Sequence, residues 1–145
     1  MDSVRGFTLV EMLLSVAIIA MMAGLSLPIY QSFQNRNELD ITAQNLASAM
    51  RRAQTYSRGM SGDSQWGVAV QSGAITLFKG ATYAGRDATY DEVSTVSSST
   101  GVSGLGEISF AKLSGAPSTS GTVTFTNINN ETRVVSINAE GMVSY

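Results

Sequence analysis

From Phe7 to Ile29 the chain is apolar almost without interruption, and Glu11 is the single charge in the run. As a helix, a stretch of about 23 residues is long enough to cross roughly 30 Å of hydrocarbon. Pro28 stands near its end, where a ring without an amide hydrogen kinks or stops a helix. From about Gln31 the pattern turns amphipathic. Leu39, Ala43, Leu46, Met50 and Ala53 recur at alternating steps of four and three, which lines them up on one helical face. Ile41 projects from nearly the opposite face. Arg51, Arg52 and Arg58 gather where cations suit the helix macrodipole, and Gly59 and Gly62 read as the stop. The pattern therefore predicts one long helix of about 50 residues, bent near Pro28.

After Gly62 the chain turns to Gly, Ser, Thr and β-branched residues. Trp66–Val70 and Ala74–Phe78 flank Gln71-Ser72-Gly73 and predict a hairpin. Gly80 to Gly106 is poorly patterned and predicts a long loop with at most one short strand. Further strands are predicted at Glu107–Phe110, Thr122–Thr126 and Arg133–Ile137. Asn127–Asn130 and Asn138–Gly141 supply turns, and Met142–Tyr145 forms a last short strand. The expected fold class is α+β. A long N-terminal helix, apolar in its first half and amphipathic in its second, packs on a small antiparallel β-sheet domain.

Composition narrows the chemistry. The 145 residues contain neither cysteine nor histidine. Disulfides and thiolate metal sites are thereby excluded, along with the commonest general base. A net charge of −2 offers no overall positive field to nucleic acid.

Gly6-Phe7-Thr8-Leu9-Val10-Glu11, followed by the apolar run, resembles the N-terminal signal of type IV pilins and of the pseudopilins of type II secretion. The resemblance implies a leader at 1–6, a transmembrane and filament-core helix at 7–30, and a globular domain at 31–145. It implies cleavage after Gly6 by prepilin peptidase and N-methylation of Phe7. The family's glutamate maps onto Glu11 and its proline onto Pro28, both being assembly positions. Glu11 would pair with the Phe7 amine of a neighbouring subunit. Independently of the family, a carboxylate in an apolar span is costly unless paired or neutral, and such residues are functional by default. Taken alone, Glu11 could instead snorkel to a nearby surface. A secretory signal peptide would use Arg5 as its basic end and the small residues of Ala20–Gly24 for cleavage. That would place Glu11 inside its apolar segment.

Weaker patterns have blander explanations. Ser109-Phe110-Ala111-Lys112 matches an S-x-x-K nucleophile motif, but on a predicted strand end rather than on the helix the chemistry needs. Asp87, Asp91 and Glu92 could offer oxygens to calcium, yet without EF-hand spacing and with Arg86 beside them. Arg51, Arg52 and Arg58 could meet phosphates, though helix capping accounts for them, and nucleic acid is not an expected partner. Asn130-Glu131-Thr132 is a glycosylation sequon whose turn setting already explains Asn130.

In the second half, Ala43–Arg58, Trp66-Gly67-Val68 and Thr122–Tyr145, with its closing Glu140-Gly141-Met142-Val143, resemble the H-type minor pseudopilins and their minor-pilin relatives, the GspH/FimT family. The expected function is a structural subunit and not an enzyme. It would need no cofactor or metal, and would work at the inner membrane and then in a pilus or pseudopilus with other such subunits. A major pilin is the alternative. A membrane-anchored adhesin or sensor is the remaining one.

Overall fold

The structure, a computed structural model, describes residues 6–145; of residues 25–29 it describes the backbone alone. The leader expected at 1–6 therefore lies, Gly6 apart, outside the described residues. The chain divides into two compact units, Met1–Gln34 and Asn35–Tyr145.

One helix, α1, runs from Leu9 to Arg58 and is 50 residues long. It continues through Pro28; the bend expected there falls on residues 25–29, outside the described side chains. The helix stops where expected, directly before Gly59, and Gly62 is left-handed at φ 65°; Met60, at φ 52°, and Asp63, at φ 53°, are left-handed as well. A short 3-10 turn, Ser61–Asp63, comes next.

Eight strands follow among the described residues: β1 Trp66–Gln71, β2 Ala74–Lys79, β3 Asp87–Thr95, β4 Gly101–Gly104, β5 Glu107–Phe110, β6 Gly121–Thr126, β7 Thr132–Ile137 and β8 Val143–Ser144. They build two four-stranded sheets rather than one, ordered β3-β2-β1-β5 and β4-β6-β7-β8. Every pairing is antiparallel. The loop expected over Gly80–Gly106 carries more strand than expected, namely the nine-residue β3 and the four-residue β4. The reason is burial: β3 is an edge strand exposed on both faces, so nothing forces its residues to alternate.

The amphipathic stripe fills the core of the second unit. Leu39, Ala43, Leu46, Met50 and Ala53 are all buried against Val68, Leu77, Ile108 and Phe110 of one sheet and Val123, Phe125 and Val135 of the other. Ile41 is exposed, as its place on the opposite face predicts. Ser57 is buried too, and its hydroxyl accepts the Trp66 backbone N–H at 2.9 Å, which joins the last helical turn to the first strand. Two ion pairs fasten the β6–β7 turn to the start of this part of α1: Arg36 Nε to Glu131 Oε1 at 2.6 Å and Arg133 Nε to Asp40 Oδ1 at 2.5 Å.

Candidate assembly site on the N-terminal helix

Helix α1 begins at a cap that the sequence reading passed over. The Thr8 hydroxyl accepts the Glu11 backbone N–H at 3.3 Å, and the Thr8 carbonyl accepts that of Met12 at 3.1 Å. Thr8-Leu9-Val10-Glu11 has the spacing of a capping box, so a signal for it was present. The cap leaves Gly6 and Phe7 in non-helical backbone and puts Glu11 in the first turn, where a carboxylate suits the positive end of the helix dipole. Among the described residues its carboxylate has no ion-pair partner.

The side chains beyond the cap are apolar on every side and lie open. Phe7 is 79% exposed and Ile19 66%, with Leu9, Val10, Leu13, Val16, Ile18, Met21 and Met22 also exposed. An apolar helix without a polar face has no water-facing side, and burying each large side chain is worth about 1.5–3 kcal/mol. Such a surface calls for lipid or for other helices. Among the described residues no helix is long and apolar enough to cross a membrane. The apolar run of 7–29 includes residues 25–29, whose side chains fall outside that description. Pro28 is one of these, so its side chain takes no part in the site as described.

The other candidates disperse. Lys112 pairs with Asp63, while Ser109 lies in β5 with its backbone N–H bonded to the Ser118 hydroxyl at 3.1 Å. The acids of β3 turn to separate partners: Asp91 to Arg86 at 2.7 Å, Glu92 to Arg52, and Asp87 to the Thr89 N–H at 3.1 Å. Among the described residues no cluster of three metal-ligating side chains forms. The helix arginines are likewise engaged: Arg51 donates to the Val143 carbonyl and Arg58 to that of Ser114. Glu92, assisted by the Tyr56 hydroxyl, holds the Arg52 guanidinium well above its ordinary pKa. A cavity of about 170 Å³ between α1 and β3 is lined by Asn45, Ser48, Arg52, Glu92 and Ser94, among others. Asn130 is left-handed at φ 60°, in a turn whose Asn127 side chain accepts the N–H groups of Asn129 and Glu131.

Residues 1–27 match the family described as the prokaryotic N-terminal methylation motif. The fold is similar to that of the minor pseudopilin EpsH from the type 2 secretion system of Vibrio cholerae, with a TM-score of 0.56 and 16% sequence identity. The match covers 74% of this chain and 94% of that one. The motif match falls on the N-terminal segment that resembles the pilin signal, and the structural match shows a fold shared with that pseudopilin.

Proposed function

We propose that the chain is a minor structural subunit of a type IV pilus or type II secretion pseudopilus. Prepilin peptidase cuts after Gly6, and Phe7 becomes the N-methylated first residue. The apolar helix holds the subunit in the inner membrane, with the second unit outside the cytoplasm, until it joins other subunits. The observation that carries this reading is the Glu11 carboxylate, without an ion-pair partner among the described residues, in the first turn of a helix whose apolar side chains from Leu9 to Met22 lie exposed. A neighbouring helix array with free N-termini meets both needs, covering the apolar surface and giving Glu11 a cation. Likeness of fold to a minor pseudopilin and the lack of cysteine favour the minor over the major class.

Glu11→Ala separates assembly from anchoring. The substitution makes the helix more apolar, so membrane insertion is kept or improved. Leaving one partner of a buried pair alone costs about 3–5 kcal/mol, so incorporation falls. Recovery with sheared filaments, normalised to the amount in the membrane, measures this, and equal recovery of the two proteins refutes the pairing.

A further inference from the structure

Three of the four sheet edges are short or covered. Strand β4 has four residues and β8 two, while residues 116–118 lie along β5, with the Ser118 N–H on the Ser109 carbonyl at 2.8 Å. Strand β3 differs. It is nine residues long and exposed on both faces, with no proline and no lysine to blunt it. The Val96 N–H donates to the Gly73 carbonyl at 2.9 Å, and the register continues with Thr95 opposite Ala74, Ser94 opposite Ile75 and Val93 opposite Thr76. Hydrogen-bonded and non-bonded pairs alternate along an antiparallel ladder, so Glu92 and Ser94 turn their backbone groups to β2. Val93 and Thr95 turn theirs to the open edge, where among the described residues nothing meets them.

Beside that edge lies the cavity of about 170 Å³. One face of α1 lines it with Asn45, Ser48 and Arg52, and β3 lines it with Glu92, Val93 and Ser94. Arg52 and Glu92 neutralise each other, one guanidinium nitrogen meeting both carboxylate oxygens. The side chains of Asn45, Ser48 and Ser94 are exposed and make no hydrogen bond among the described residues. The cavity is therefore polar without a net charge, and each of these three side chains can both donate and accept. An open backbone edge beside a side-chain pocket is the arrangement that recognition by strand addition uses.

We infer that β3 takes an extended segment of another polypeptide as an added strand, with a glutamine or asparagine side chain of that segment in the cavity. The backbone groups of Val93 and Thr95 hold the segment, and Asn45, Ser48 and Ser94 select the amide. A charged side chain fits less well, because the Arg52–Glu92 pair leaves no charge to answer it. A second copy of β3 is the wrong occupant, since the strand contains no amide side chain to fill the cavity. The site lies outside the N-terminal helix and goes beyond the filament-subunit reading.

The probe is an acetylated, amidated heptapeptide of threonine with one central glutamine, added to the full-length chain in detergent micelles. Nuclear magnetic resonance is expected to show the Val93 and Thr95 amides shifting and exchanging their hydrogens more slowly as the peptide saturates. Methylating alternate backbone nitrogens of the peptide should weaken binding about tenfold, since the pairing donors are lost. A central leucine in place of glutamine should weaken it by a similar factor, about tenfold. In the protein, Val93→Pro should abolish binding and leave the melting temperature nearly unchanged, because that N–H makes no bond to β2. If this variant does not fold, the methylated peptide makes the same test on the native chain. No binding, shifts away from β3, or affinity indifferent to methylation or to the central leucine overturns the inference. Protection of the same amides by self-association, without peptide, overturns it as well. None of these outcomes bears on recovery with sheared filaments, which tests the filament reading separately.

Discussion

Gly6 and Phe7 precede the Thr8 cap in exposed, non-helical backbone, open to a peptidase. Cleavage after Gly6 would put the new amine on Phe7, one residue ahead of the Thr8 cap, and leave Glu11 inside the first helical turn. Intact-mass analysis of the membrane form should therefore show a chain beginning at methylated Phe7. A start at Gly24 or later would mean an ordinary signal peptidase. At the other unit's edge, Glu131 illustrates how local pairing sets acid response. The Asn127 amide, then Arg36, holds its carboxyl below the ordinary value of 4.5. A lowered folded value stabilises the fold above the ordinary pKa, and that contribution disappears as pH falls through the folded value. Asp63, beside Lys112, acts in the same sense. Both groups are open to solvent, so melting temperature should fall only slightly between pH 5 and pH 3, and Glu131→Gln should flatten part of that slope.

Helix α1 shows which elements a sequence discloses. Its distal stripe was legible because Leu39, Ala43, Leu46, Met50 and Ala53 each meet a sheet, and burial imposes a period. Leu46→Ala should cost about 2–5 kcal/mol, read by chemical denaturation, because Leu46 is wholly enclosed. Buried strands were legible because burial calls for apolar and β-branched residues, continuous in β1 and β2 and alternating in β6 and β7; these and β5 fall within a residue or so of expectation. The misses share a cause. Strand β3 lies open on both faces and leaves no pattern. The division into two sheets depends on pairings between segments distant in sequence, such as β1 with β5. At the helix end Gly62 is left-handed as its composition suggests, but Met60 and Asp63 also take positive φ, which no local signal assigned to them. Gly6, Phe7 and Glu11 were singled out by resemblance to the pilin signal, and they lie within the segment that matches the N-terminal methylation motif. The Thr8 cap carried the same kind of spacing signal and was passed over.

The chain joins a helical segment, whose described side chains from Leu9 to Gly24 are exposed, to a unit with its own core. The Asn35–Tyr145 unit holds the buried stripe, both sheets and the cross-ties from Arg36, Asp40, Ser57 and Arg58. Removing Met1 to Tyr30 should consequently leave a folded, water-soluble α+β protein. Circular dichroism should show both helix and sheet with a cooperative melt. A fragment that is unfolded or helical alone would contradict the core described above.

One helix thus answers to two different judges. Between Asn35 and Arg58 a substitution on the buried face is tried against the chain's own sheets, and its volume must suit a cavity fixed by Val68, Phe110 and Phe125. Between Phe7 and Met22 the large apolar side chains lie exposed, with no such enclosure among the described residues. There a Leu for an Ile or a Met for a Val is tried only against whatever surrounds the helix. The first half is therefore free to drift in step with its surroundings, and the second only in step with itself. Two halves of a single continuous element should carry separate evolutionary histories, with the seam close to Gln34.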